Sequence, residues 1–303
     1  MSSPLVSVLI VNWNTRDLLR VCLRSLRAQQ LRGEMEVIVV DNNSGDGSEE
    51  MVRAEFPEFR VIQTSANTGY AEGNNIAFFY AKGDFLLTLN PDTELEPETI
   101  QIAIDRLVAH PAWGAISVQF RYPDGQLQPS VREFPTLPNI LGEITGLARR
   151  FPDSVIGNYR AHNFNYSAEG DAPQPMGTFL LFSRRYLEQC ADPHHPFDQD
   201  FPIFFNEVDL LYRMQQAGFK CGYTPLTSIL HHHGAGTRQV KPMMVWESHR
   251  SLARYFDKHT QGPARALLPL VRLAIMIGAL LRTRQIHAGF RPQHHHLQLE
   301  HAD

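Results

Sequence analysis

Residues 84–95, Asp-Phe-Leu-Leu-Thr-Leu-Asn-Pro-Asp-Thr-Glu-Leu, hold an apolar run that stops in Asn90-Pro91-Asp92. Phe85–Leu89 has the character of a buried strand. Asp92 then falls at its carboxyl end, where open α/β sheets place ligands. A short carboxylate on a rigid edge suits a hard divalent cation, Mg²⁺ or Mn²⁺, that also grips substrate phosphates. The same triplet is ordinary turn chemistry, and on this stretch alone the two readings stand level. Asp41 closes a second apolar run, Val37–Val40. A carboxylate there can accept from a base N–H or a ribose hydroxyl, with loop bonding as its alternative. Glu207 and Asp209 lie in Phe204-Phe205-Asn206-Glu207-Val208-Asp209-Leu210, with Arg213 beyond. Helical residues two apart do not share a face, so one carboxylate can face a cleft while the other holds Arg213 at i+4. Among aromatic side chains Glu207 has a raised pKa and can take the proton of an attacking hydroxyl. A charged helix start is the plainer use. In His231-His232-His233, a strand puts His231 and His233 on one face. A strand-end His could complete a metal site with Asp92, although exposed structural histidines are commoner.

Alternating elements must position these groups. Val6–Val11 reads as a strand buried on both faces, ended by Asn12-Trp13-Asn14-Thr15. Leu18, Leu19, Cys22, Leu23 and Leu26 recur at helical spacing. Val37–Val40 is the second strand, closed by the polar loop Asp41–Ser48, whose backbone N–H groups are available to a ligand. Arg60–Ile62 is a short third strand. Asn67-Thr68-Gly69-Tyr70 and an Ala-rich helix to about Lys82 lead to the fourth, Phe85–Leu89. This β-α alternation predicts a parallel sheet with helices on both faces. Asn12, Asp41 and Asp92 then share one edge and one crevice. Beyond it, a helix from about Pro97 to His110 precedes strand material at Gly114–Tyr122. Residues 129–172 are irregular, with a helix near Ile140–Arg149, and suit a lid or an acceptor-binding insertion. Gly177–Phe182 and Cys221–His231 read as later strands, the last followed by Gly234-Ala235-Gly236-Thr237.

The C-terminal part differs. Ala266–Leu281 is mostly apolar but carries Pro269, Arg272 and Gly278, and is shorter than the roughly 20 residues a spanning helix needs. Arg265, Arg272, Arg282 and Arg284 punctuate it. It reads either as a helix packed on the domain or as an interfacial helix on an anionic membrane. The tail after Ile286 is polar and His-rich.

Composition narrows the function classes. A net charge of −4 argues against nucleic acid as a partner. Three widely spaced cysteines form neither a zinc pattern nor a disulfide framework, which favours a reducing, cytoplasmic setting. No G-x-G-x-x-G follows the first strand, and neither a P-loop nor a G-x-S-x-G elbow occurs.

The ordered series Val6–Asn14, Val37–Ser48, Asn67-Thr68-Gly69-Tyr70 through Asn75, Leu89–Thr93, Gly177–Arg184 and Glu207–Arg213 resembles the inverting family 2 glycosyltransferases. It is most similar to their rhamnosyltransferase-like branch. The resemblance implies the GT-A fold, an α/β architecture with a mostly parallel central sheet. It implies a catalytic domain over 1–240, with a nucleotide-binding half at 1–125 and an acceptor half at 126–240. A helical extension over 241–286 and a polar tail over 287–303 follow. The implied reaction moves a sugar from a nucleoside diphosphate donor to a glycan or lipid-linked acceptor, in cell-surface polysaccharide synthesis. Contact with the inner membrane would be peripheral. Asp41 would contact base or ribose, with Asn12, Trp13, Asn14, Asn67, Gly69 and Asn90 also on the nucleotide. Asp92 would hold the cation with a His of the 231–233 run: the family's spacing selects His231 counted from Pro225 or His232 counted back from Thr237, and strand facing leaves His233 as a companion of His231. Glu207 would be the base and Asp209 its fallback. Two departures stand out: Asn206-Glu207 replaces the family's Glu-Asp, and the family's single His falls on a run of three. A non-catalytic nucleotide-sugar-binding scaffold of the same fold is the competing reading. A nucleotidyltransferase would want a basic Gly-rich loop after the first strand, which Asn12–Thr15 is not.

Overall fold

The computed structural model describes residues 4–192, 195–232 and 241–287. They fall into two compact units, Met1–Gln239 and Val240–Asp303.

In the first unit, β1 (Val6–Asn12), α1 (Arg16–Arg27), β2 (Met35–Asp41), α2 (Ser48–Glu55), β3 (Arg60–Gln63), α3 (Tyr70–Tyr80) and β4 (Phe85–Leu89) alternate. Strand period sorts the apolar residues. Val6, Val8, Ile10, Val37 and Val39 face one core, under α1 and α2. Leu9, Ile38 and Val40 face the other, under α3. Each fully buried Leu or Val there contributes about 1.5–3 kcal/mol. The chain continues through β5 (Thr93–Leu95), α4 (Thr99–Ala109) and β6 (Trp113–Arg121). The insertion carries β7 (Val131–Arg132), α5 (Leu137–Thr145), α6 (Leu147–Arg150), a 3-10 turn at Asn158–Arg160, β8 (Gly170–Asp171) and β9 (Gln174–Pro175). Then come β10 (Phe179–Ser183), α7 (Arg184–Cys190), α8 (Asn206–Gln216) and β11 (Lys220–His231).

The sheet order is β3-β2-β1-β4-β10-β6-β11-β5, with β8 added beside β11. β1, β2, β3 and β4 pair in parallel, as do β6 and β11. β10 runs antiparallel between β4 and β6, the mixed element that a mostly parallel sheet leaves room for. The insertion is the cause. It delivers the chain back to the carboxyl edge, so β10 must descend from there. Phe179 pairs with Leu89, and Gly177 and Thr178 thereby join the edge that the parallel strands define.

The second unit contains α9 (Lys241–His259), a 3-10 turn at Gly262–Leu267 and α10 (Leu268–His287). Arg272 donates to Asp257 at 2.9 Å and Gly278 faces His249, so α10 folds back antiparallel along α9. The apolar helix is longer than its sequence suggests. Pro269 occupies the first turn, where its missing N–H costs nothing, and the final arginines extend it. By length and composition alone, Gly262–Arg284 is long and apolar enough to cross a membrane. Leu268, Val271, Ile275 and Ala279 are buried, while Leu270, Leu273, Ile277 and Leu281 are exposed.

Candidate active site

At the carboxyl edge, β1 and β2 end in register on Asn12 and Asp41. Asn12 donates Nδ2 to Asp41 Oδ1 at 2.9 Å, and Ser44 N–H donates to Asp41 Oδ2 at 2.9 Å. Thr15 Oγ1 donates to Asn12 Oδ1 at 2.6 Å. All three of Asn12, Asp41 and Thr15 are buried. Asn14 takes a left-handed conformation, φ 51°, and its Oδ1 accepts from Gly45 N–H. Trp13 is half-buried beside it. The N–H groups of Ser44, Gly45 and Ser48 are thus taken by side chains of Asp41, Asn14 and Asp46. This corrects the expectation that the loop offers them to a ligand: short polar side chains within reach satisfy them first.

Asn42 clamps the next loop. Its Nδ2 donates to Gly69 O at 2.9 Å, and its Oδ1 accepts from Thr68 N–H at 3.1 Å. Asn67 is exposed and accepts from Gly69 N–H at 3.0 Å. Gly69 sits at φ 87°, and a Cβ there would lie 2.7 Å from Pro202 O. That carbonyl caps α3, accepting from Tyr70 N–H and Ala71 N–H. The Gly69–Tyr70 turn is therefore locked to the segment that leads into α8.

Asn90 holds β4 to β10, with N–H to Thr178 O at 2.9 Å. Asp92 is buried, and its carbonyl accepts from His232 N–H. His231, also buried, points Nε2 at Asp92 Oδ1 from 3.5 Å, while Nδ1 lies 3.1 Å from Gln128 Oε1. An oxygen at Nδ1 favours the tautomer with its proton there and its lone pair on Nε2. A carboxylate and an imidazole lone pair converging, with an outer hydrogen bond orienting the ring, fit a divalent cation. Among the described residues no third His, Cys, Asp or Glu joins them. His233 and Gly234–Thr237 lie outside the described residues. His232 turns away to Glu94 Oε1 at 2.7 Å.

Glu207 and Asp209 diverge on α8. Asp209 is buried and accepts from Arg213 Nε at 2.8 Å, while Arg213 also donates to Cys190 O and Pro196 O. Glu207, in the first turn, packs on Gly177, where a Cβ would lie 3.2 Å from Glu207 Cγ. Phe205, before the helix, is held at φ 68°, a strained region for a bulky residue. Burial pushes the Glu207 carboxyl up from its ordinary range, against the pull of helix N–H groups and of Arg132. Tyr70 donates to Gly177 O at 3.3 Å. Burial raises its phenol pKa, and the negative charges of Glu207 and Asp92 raise it further. One phenol thus feels both carboxylates. Asp41 lies on the same edge two strands from β4, about 10 Å away.

Sequence reasoning missed Gln128, Tyr70 and Arg132. Tyr70 had a signal, the Gly-Tyr step at a helix start. Gln128 and Arg132 lie in a segment without periodicity and had none.

The profile described as Glycosyl transferase family 2 matches residues 7–190, well over half of the chain. The N-acetylglucosaminyl-diphospho-decaprenol L-rhamnosyltransferase of Mycobacterium tuberculosis is 26% identical over 240 residues, covering 75% of this chain and 76% of that protein. The O-antigen biosynthesis protein RfbC of Myxococcus xanthus is 24% identical over 78% of this chain and 18% of its own length. Among solved structures, the mannosyltransferase PcManGT of Pyrobaculum calidifontis, in complex with GDP-Man and Mn²⁺, superposes with a TM-score of 0.57 at 18% identity. That match covers 96% of this chain and 77% of that one. TarS 1-349 of S. aureus, in complex with UDP, gives 0.54 at 15% identity, covering 94% and 91%.

Proposed function

The chain belongs to glycosyl transferase family 2 and has the GT-A fold, and from that premise we propose that it is an inverting, metal-dependent transferase. In this reading it moves a sugar, rhamnose first among the candidates, from a nucleoside diphosphate to a lipid-linked glycan acceptor. The observation that carries the proposal is the convergence of Asp92 and His231 at one end of the edge on which Glu207 also stands, with Tyr70 bonded to the carbonyl of Gly177, the residue on which Glu207 packs.

Asp92 and His231 would hold a divalent cation, with Gln128 fixing the ring, and when bound it would supply positive charge to offset that of the leaving diphosphate. Asn12, Trp13, Asn14 and Asp41 form the floor for base and ribose, and Asn67, Gly69 and Asn90 border it. Glu207 accepts the acceptor hydroxyl's proton as that oxygen attacks the anomeric carbon from the face opposite the diphosphate. One displacement inverts that carbon. Asp209 keeps Arg213, and so the start of α8, in place. The relative that uses a diphospho-decaprenol acceptor supports the lipid-linked class. The exposed apolar face of α10, with its arginines, suits peripheral contact at the cytoplasmic face of a membrane. Surface polysaccharide synthesis is the setting.

The test is a panel of nucleotide sugars in thermal shift, with and without Mn²⁺, followed by transfer assays on the stabilising donor. A bound donor raises the melting temperature by mass action. Metal-dependent stabilisation and transfer with inverted anomeric configuration are expected. Stabilisation without transfer or donor hydrolysis would instead assign the scaffold reading.

A further inference from the structure

The insertion is a built unit, yet it shows its apolar residues to solvent. α5 opens on a reciprocal cap in which Asn139 N–H donates to Thr136 Oγ1 and Thr136 N–H to Asn139 Oδ1. A Cβ on Gly142 would collide with the Ile156 carbonyl, and one on Gly157 with the Phe151 carbonyl, so α5 and residues 151–157 close backbone on backbone. Arg160 grips both oxygens of Glu143. On this firm frame Leu141, Ile144, Leu147, Phe151 and Val155 are 41% to 67% exposed. Leu141 and Ile144 stand on α5, Leu147 opens α6, and Phe151 and Val155 lie in the turns that follow. Single exposed apolar residues need no explanation, but several gathered on one short segment mark a contact surface.

Two cations, and one exposed carboxylate at Asp153, are interspersed among these residues. Arg149 and Arg150 are exposed, and neither makes an ion pair among the described residues. Arg150 lies over the Phe151 ring at 5.7 Å. Apolar side chains interleaved with unneutralised arginines suit the interface of an anionic bilayer. The segment also leads to the site. Glu133 N–H donates to Tyr159 O at 3.0 Å, and the Arg132 guanidinium lies over the Tyr159 ring at 5.6 Å. Arg132 pairs with Gln174 between β7 and β9, and β9 runs on to Gly177, on which Glu207 packs. Arg132 is exposed and makes no ion pair among the described residues.

We propose that the face formed by residues 141–155 docks the catalytic unit on an anionic bilayer, and that Arg132 receives the phosphate of a membrane-borne acceptor beside Glu207. The identity of the acceptor rests on the transferase reading above; the docking face does not. This surface belongs to the first unit.

The experiment uses the full chain in the Cys190→Ser background, with an environment-sensitive fluorophore on Val155→Cys. It is mixed with vesicles of phosphatidylglycerol and phosphatidylcholine, or of phosphatidylcholine alone. A blue shift on the anionic vesicles only, abolished by Arg149→Glu with Arg150→Glu, is expected. The same fluorophore on Val108→Cys, exposed on α4, should not respond. An unresponsive probe at residue 155 while the protein floats with the vesicles would overturn the docking face. A blue shift without vesicles that grows with protein concentration would assign the segment to a second copy and overturn the docking face equally. With a vesicle-borne acceptor, Leu147→Ser with Phe151→Ser should raise KM about tenfold and leave donor hydrolysis unchanged. Arg132→Ala should raise KM for a phosphate-bearing acceptor but not for the same sugar without phosphate. Equal KM changes for both would remove Arg132 from the proposal. If no nucleotide sugar is turned over by the unsubstituted protein, the transferase reading fails while the fluorescence result still stands.

Discussion

At the β1–β2 edge, Asn12, Asp41, Asn42 and Ser44 spend their side chains on one another and on neighbouring loops. In the insertion, Arg132, Arg149 and Arg150 face outward and make no ion pairs among the described residues. The two regions are finished to different degrees. The β1–β2 edge is pre-organised, so a ligand seating there meets groups already oriented, which lowers the cost of ordering them. The insertion presents charge and apolar surface whose complement lies outside the protein. The difference teaches that, in the proposed reading, donor and acceptor sides can be perturbed separately.

The largest expected break falls on the acceptor side. Glu207→Gln should lower transfer by about 10²–10⁴-fold, the usual worth of a general base. Donor affinity should stay unchanged in the same titration. A loss of donor affinity would merge the two sides. Next, Gln128→Ala should weaken metal-supported nucleotide binding by about 10–100-fold, because it frees the His231 ring to turn. Metal-dependent calorimetry checks this, and unchanged affinity would detach Gln128 from the pair. Gly69→Ala probes how tightly the donor side is built. With φ 87° and Pro202 O at 2.7 Å, it should cost about 1–3 kcal/mol of unfolding free energy in urea. A neutral result would mean that the turn relaxes.

The smallest effect concerns pH. Burial lifts the Glu207 pKa in the fold above its unfolded value, so the folded state binds that proton more tightly. Its stabilisation is full below the unfolded pKa, about 4.3, and is lost as pH rises through the folded one. Glu207→Gln should therefore melt higher than the unsubstituted protein at pH 7, with the gap closing toward pH 4. The acid limb of the rate profile should lie above the ordinary carboxylate range, because the base works only when deprotonated.

How much of this is legible in the sequence follows the same division. Val37–Val40 is a continuous apolar run, and Val6–Val11 and Phe85–Leu89 are broken only by Ser7 and Thr88; buried parallel strands leave that signature without help from distant contacts. Their shared carboxyl edge follows from alternation, which is why the sequence alone groups Asn12, Asp41 and Asp92. The i, i+4 pairing of Asp209 with Arg213 is equally local. The direction of β10 is not local, since it depends on where a long insertion returns the chain. Gln128 reaches His231 across 103 positions, and nothing near either residue announces the other. Pattern separates His231 from His233 no better, because alternation along a strand would give both the same face. Apolar residues at 141–155 read as core from type alone, and only their exposure reveals a surface.

The account rests on Asp92 and His231 jointly gripping a cation on a nucleoside diphosphate while Glu207 stands apart as the base. The most direct measurement is calorimetric titration of Mn²⁺ into dTDP, UDP or GDP complexes of the full chain and of Asp92→Ala, His231→Ala and Glu207→Gln. The account predicts that the first two variants lose metal-enhanced nucleotide affinity and the third keeps it. Asp92→Ala retaining the full Mn²⁺ enhancement would contradict it.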